Sequence, residues 1–311
     1  MSPTKIIIPF PTVKAEKPWV KMSCSPVGKY SDLTRYSSRN WNARDKVCQE
    51  AQLWLRRGLM DQLYPMQYFR GDNFFPFMYD WVEHQYGHPV APGLGIYFLD
   101  PNEGNWELND VRQQIHASRS SGIGGVVFYR SDFFTRNCQG LYDTVKREFF
   151  PTPSLPSRMT WSIDTVSPSR PGDLFHDVEG NCLYWIGSDD HGERDLKLND
   201  HDYVYYNIYG SDIYPVDVSS GKHLLKTRVT GSFFRLPASL SHYKYYAMTA
   251  CDRFGNESGA AQEYQMEILR DLRPIWNPRS RLSSDGSKID DLRTAPSSEP
   301  TSTKSKKKNR R

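Results

Sequence analysis

The chain has 311 residues with a formal net charge of +4, and 38% of them are hydrophobic, 14% aromatic and 24% charged. That composition is globular and aromatic-rich, which excludes a coiled coil, a collagen and wholesale disorder. At about 100–200 residues per domain the length suggests two domains and a tail, and no apolar run approaches the roughly 18 residues of a membrane helix.

At the N-terminus Ile6-Ile7-Ile8 is cut short by Pro9 and Pro11. A secretory core needs about 7–15 apolar residues, so the chain as written reads as cytoplasmic unless its start lies upstream. From Trp19 the pattern alternates between strand and helix. Trp19–Cys24 reads as a strand, Ala43–Gly58 as a helix with Val47, Ala51, Trp54 and Leu55 on one side, and Asp61–Phe69 as the next strand. A helix over Phe75–Tyr86, a strand over Pro92–Leu99, a helix over Asn109–Ser120, a strand over Gly124–Tyr129 and a helix over Gly140–Phe149 follow. Gly58, Gly87 and Gly122 stand where helix C-caps are expected. Strand–helix repeats imply parallel strands covered by helices, in either an open doubly wound sheet or an eightfold barrel. No Gly-rich dinucleotide fingerprint follows a strand, which disfavours the open sheet. A full barrel needs eight units over about 250 residues, and only four are legible here.

Beyond residue 159 the helical period is lost. Leu183-Tyr184-Trp185, Tyr203–Tyr209 and Tyr243–Ala250 read as short strands of a β-sandwich. Residues 269–311 are poor in apolar side chains and read as disordered. The last ten residues hold six basic side chains, which leaves −2 on the other 301 residues. The basic character is thus a property of the tail. Such a tail can meet nucleic acid or anionic lipid, but recognition motifs are missing and no specific nucleic-acid partner is expected. Five cysteines lie far apart with no CxxC pair, so neither a zinc ribbon nor a dense disulfide framework is expected, and the thiols read as buried and inert. His84 and His88 have i, i+4 spacing, but Gly87 between them argues for a surface pair over a metal site. No phosphate loop, haem motif or Ser/His/Asp elbow occurs, and no cofactor is expected.

Several short motifs recur in a familiar order: Lys17-Pro18-Trp19-Val20-Lys21, Ser25-Pro26-x-Gly28, Pro65-x-x-Tyr68-Phe69, Gly93-x-Gly95-x-Tyr97 and Gly125-x-x-Phe128-x-Arg130. Together they resemble the bacterial "family 10 glycosylhydrolase" proteins over residues 17–162. The resemblance implies an exported (β/α)8 TIM barrel followed by a fibronectin type III-like domain, with glycoside hydrolysis as the activity. It aligns the four units with the last four strands of the barrel. The family's acidic segment (Asp-Gly-x-His-x-Asp-Asp-Tyr) is not found in this chain, and Met66 stands where many members carry Gln. Thr249-Ala250-x-Asp252-x-x-Gly255-Asn256-Glu257-Ser258 resembles the late strands of the second domain.

The expected layout is therefore an unmatched segment 1–16, a partial barrel 17–158, a fibronectin type III-like sandwich 159–268 and a disordered basic tail 269–311. The expected function is that of a glycosylhydrolase-like protein acting on carbohydrate, including cell-wall glycans. An inactive carbohydrate-binding or cell-surface module, or a truncated product, is the alternative. Glycoside hydrolysis needs two carboxyl groups about 5–10 Å apart. Asp72, Asp100, Glu103 and Asp132 follow strands, with Asp100 and Asp132 as the catalytic candidates. Each also fits a bland role, Asp132 as a cap of the next segment. Tyr68, Tyr97, Arg130 and Ser25 are the candidate glycan contacts, and Tyr68 and Tyr97 read equally well as barrel core. Open strand edges would also invite self-association.

Overall fold

A computed structural model describes residues 9–188 and 203–262. The expected disordered tail and the Ile6–Ile8 run lie outside the described residues.

Residues 9–150 build an α/β layer. Helix α1 (Pro9–Glu16) precedes strand β1 (Ser23–Cys24). Helices α2 (Ala43–Val47) and α3 (Ala51–Arg56) lead to β2 (Gln62–Leu63), α4 (Phe75–Glu83) to β3 (Gly93–Leu94), and α5 (Leu108–Ser120) to β4 (Val127–Phe128). Helices α6 (Asp132–Thr135) and α7 (Leu141–Thr144) close the region, and α7 runs on into a π turn over Val145–Phe149. β1 pairs with β2 and β3 with β4, both parallel. Isolated parallel bridges Leu63↔Val90 and Met66↔Gly93 join the β2 chain to the β3 chain, and Val27↔Met66 extends the first pair. The strands thus stand side by side in chain order.

Helices form within the segments 43–58, 75–86, 109–120 and 140–149, as the apolar spacing expected, because each buries one stripe, whereas α1 and α6 were not expected. On α4 the stripe is Phe77, Met78 and Trp81; on α5 it is Val111, Gln114, Ile115 and Ser118. Gly58 and Gly122 have positive φ just past a helix, the conformation that ends it at no steric cost, whereas α4 already stops at Glu83, so Gly87 sits in the following turn.

Several boundaries differ from expectation. The helix expected over Ala43–Gly58 is broken at Cys48, which adopts the left-handed conformation at φ 56. Gln49 beyond the break turns its side-chain oxygen to accept from the Val27 N–H. The ladders are two residues long where six to nine were expected, and Ile96–Leu99 is a 3-10 turn, not strand. That turn carries Phe98 onto Trp106 at 4.7 Å and buries Leu99, a packing that local alternation does not encode.

Residues 175–262 form two antiparallel sheets. One has the order β5 (Phe175–Asp177), β6 (Cys182–Tyr184), β9 (Phe233–Arg235). The other has the order β11 (Ala261–Gln262), β10 (Tyr245–Cys251), β7 (Tyr205–Ser211), β8 (Leu224–Val229). Leu183, Trp185, Tyr206, Ile208, Tyr246 and Met248 fill the core between them. The Tyr246 hydroxyl donates to the Leu240 carbonyl at 2.8 Å and so ties β10 to the loop before it.

The two regions are tied together within one compact unit. Asp61, at the start of β2, is 1% exposed. Its carboxylate meets Lys14 of α1 at 2.7 Å, accepts the Met22 N–H at 2.7 Å and accepts the indole N–H of Trp161 at 2.7 Å. Arg158 reaches Asn256 at 2.7 Å, and the Arg253 guanidinium lies 4.5 Å over Trp19. No helix among the described residues is long and apolar enough to cross a membrane.

Candidate functional site

The carboxyl ends of β2, β3 and β4 converge on three tyrosines. Tyr68 follows β2, Tyr97 lies in the turn after β3, and Tyr129 follows β4 with its N–H donating to the Leu94 carbonyl at 3.0 Å. Tyr68 and Tyr129 are stacked, with centroids 5.3 Å apart and planes 21° from parallel. Tyr97 stands edge-on to both, at 5.9 Å from each. Glycine makes this possible. A Cβ on Gly95 would lie 3.1 Å from the Cβ of Tyr68, and one on Gly93 would lie 3.3 Å from its Cε1. The open side of β3 is therefore bare, and Tyr68 leans across it. Burial raises the pKa of both Tyr68 and Tyr97, so the phenols stay protonated at neutral pH. The Glu103 charge adds to the rise at Tyr97.

Arg130 and Glu103 form a loose ion pair at 3.6 Å beside this cluster, and both side chains are about half exposed. Asp100 is held more firmly. It accepts from the Asn102 N–H at 3.0 Å and from Arg136 at 2.7 Å, and these contacts lower its pKa. Arg136 also meets Asp132 at 3.4 Å, so one guanidinium joins the two candidate acids. A general acid needs a raised pKa, and Asp100 has the opposite; the arrangement suits a carboxylate that pins the loop after β3 to α6. Asp132 is the first residue of α6, after the N-cap position Ser131, so it does not cap the helix as expected.

Of the sequence candidates, the fold brings together Tyr68 and Tyr97, with Arg130 beside them as the chain neighbour of Tyr129. Ser25, exposed just past β1, and Asp72, exposed in the turn before α4, are not part of the cluster. The expected His84/His88 surface pair is also corrected. His88 is 8% exposed, its Nδ1 faces the Asp61 carbonyl at 3.3 Å, and its ring packs on Trp161 at 4.6 Å. His84 instead turns its Nδ1 to the Asp80 carbonyl at 2.8 Å. The thiols are not uniformly buried either, since Cys48 is exposed.

Two features escaped sequence reasoning. Tyr129 was read only as the end of a strand, although the x in Gly125-x-x-Phe128-x-Arg130 falls on it. Lys29 is 2% exposed; its ammonium lies 4.6 Å over Phe69 and 4.8 Å over Phe77 and donates to Asn73 at 2.8 Å. Burial lowers its pKa. It clamps the turn before α4 to the end of the first strand, and no spacing rule marks it.

No family model matches the chain. It is similar to the glycosyl hydrolase YngK of Bacillus subtilis (strain 168), 25% identical over 282 residues, which is 81% of this chain and 51% of that protein. The chain thus spans about half the length of this curated relative.

Proposed function

We propose that this chain is the C-terminal part of a glycosylhydrolase-like protein that acts on carbohydrate and takes its glycan at the carboxyl ends of the parallel strands. The similarity to a glycosyl hydrolase supports the carbohydrate class. The observation that carries the site is the tyrosine cluster of Tyr68, Tyr97 and Tyr129 with Arg130 beside it. Aromatic faces attract the C–H face of a sugar ring, and the guanidinium offers several donors to hydroxyl or carboxylate oxygens. Ser25 is a further glycan contact in this reading, and Asp100 and Asp132 remain the acids of this region. Hydrolysis of an O-glycosyl bond needs two carboxyl groups, one on each side of the bond, and both of these are held on Arg136. We therefore assign binding to this region and hydrolysis to the assembled protein, exported as the resemblance implies.

Strands standing in chain order with helices between them support the half-barrel reading. The sheet orders β11-β10-β7-β8 and β5-β6-β9 support the fibronectin type III-like reading of the second region. Among the described residues neither β1 nor β4 carries a strand on its outer side, and such edges favour pairing with another chain. Self-association through them is part of the proposal.

Electrophoresis of the purified chain through gels holding a panel of soluble polysaccharides, with an assay for new reducing ends, tests the function. Retarded migration on at least one glycan is expected. A chain that migrates freely in every gel and releases no reducing ends would sink the proposal.

A further inference from the structure

The carbohydrate reading rests on the tyrosine cluster as a whole, yet its three rings are not equally presented to a ligand. Tyr129 is 48% exposed, whereas Tyr68 and Tyr97 are partly buried. It is also held firmly. One face packs on Tyr68, the Tyr97 ring meets it edge-on, and its backbone N–H is bonded to Leu94. A ring already fixed in place loses little side-chain freedom on binding, so its contact area converts efficiently into affinity.

The surroundings add polar groups of both signs. Glu103 and Arg130 are exposed, and their 3.6 Å separation is longer than a good charge-assisted hydrogen bond of about 2.7–2.9 Å. Their hydrogen-bonding capacity is only loosely engaged. Asp100 and Asp132, by contrast, are committed to Arg136. Glu103 is therefore the carboxylate of this strand end best placed to accept from a ligand hydroxyl, and Arg130 the matching donor.

We infer that Tyr129 is the stacking platform for a pyranose ring with all-equatorial substituents, with Glu103 and Arg130 binding the hydroxyls at its rim. The inference rests on the carbohydrate reading above and deepens it. A gluco-configured ring carries only axial C–H bonds on its faces, and these positive edges suit the negative face of a phenol ring. Its hydroxyls point outward in the ring plane, where a flanking carboxylate and guanidinium can both reach them.

The test is calorimetric titration of the full chain with cellotetraose and with the tetramer of β-1,4-linked N-acetylglucosamine. The variants are Tyr129→Leu, Tyr129→Phe, Glu103→Gln and, as a control, Tyr142→Leu, another exposed tyrosine that lies outside the cluster. Binding of at least one tetramer by the wild type is expected. Tyr129→Leu should weaken it about tenfold or more, since truncating an aromatic anchor typically costs that much. Tyr129→Phe, which keeps the ring, should stay within about threefold, and Glu103→Gln should fall between the two. Tyr142→Leu should bind as the wild type does. Thermal melting of each variant separates lost binding from lost folding. Undiminished binding by a folded Tyr129→Leu chain overturns this inference and leaves the carbohydrate reading standing. Binding of neither tetramer by the wild type overturns the ligand class named here, while the polysaccharide panel decides the broader reading separately.

Discussion

Tyr68 and Tyr129 stack 5.3 Å apart although β3 runs between their strands, and Gly93 and Gly95 leave room for Tyr68 to lean across, since an added Cβ would lie 3.3 Å from its Cε1 and 3.1 Å from its Cβ. The Gly93-x-Gly95-x-Tyr97 motif therefore has a physical meaning. Its glycines clear the floor, and its tyrosine closes the cluster from the edge.

Gly95→Val places branched carbon against the Tyr68 Cβ and the Phe98 ring, each already 3.1 Å from an added Cβ. Overpacking of this kind costs about 1–3 kcal/mol. The expected result is a lower urea midpoint together with a weakened near-ultraviolet circular dichroism signal from the displaced tyrosines. An unchanged aromatic signal would count against the glycine's spacing role.

Asp61 joins α1, the strand before β2 and the segment around Trp161 through Lys14, the Met22 N–H and the Trp161 indole. Asp61→Ala leaves the Lys14 ammonium with only the Pro18 and Val20 carbonyls, and takes the acceptor from the half-buried Met22 N–H and Trp161 indole N–H. Breaking a buried pair from one side costs about 3–5 kcal/mol. Trp161→Phe, which removes one donor to a charged acceptor, should cost about 1.5–3 kcal/mol. Urea unfolding of the two variants checks both size and order.

Burial holds the pKa of His88 below its ordinary 6.5. The unfolded chain therefore takes up this proton more readily than the folded one. Stability from this group is complete above about pH 6.5 and declines as pH falls toward the depressed folded value. Urea midpoints measured between pH 7.5 and about 5 should drop more steeply for the wild type than for His88→Gln. Identical slopes would mean that His88 does not titrate differently in the two states.

Cysteine labelling should be ordered by environment. Cys48 is exposed, while burial pushes the Cys24 thiol up to about 11 and the Cys251 thiol up to about 12. Only the thiolate reacts. Iodoacetamide at neutral pH, followed by mass spectrometry, should mark Cys48 first and reach Cys24 and Cys251 only on unfolding.

Much of the order of elements was legible in the chain. The stripe of α5, with Val111, Ile115 and Ser118 on one side, follows from side-chain spacing alone, as does the helix stop at Gly122. The site was legible in part. Tyr68 and Tyr97 stood out as strand-end aromatics, whereas Tyr129 did not, because its ring matters only through partners 61 and 32 residues away in the chain. Asp100 and Asp132 looked alike as loop acids, and nothing local to either foretold that Arg136 would hold both.

Residue type and spacing by themselves determined that helices lie within 43–58, 75–86 and 109–120, that Gly58 and Gly122 follow two of them, and that a β-rich region follows an alternating one, since these depend on contacts within a turn or a strand. Only the tertiary structure decided that the helix over 43–58 breaks at Cys48, that His88 is buried against Trp161, and which of four tyrosine and acid candidates share one surface. Those outcomes depend on groups brought together from distant parts of the chain, where packing and hydrogen bonding outweigh the roughly 0.5–1 kcal/mol that local preference supplies.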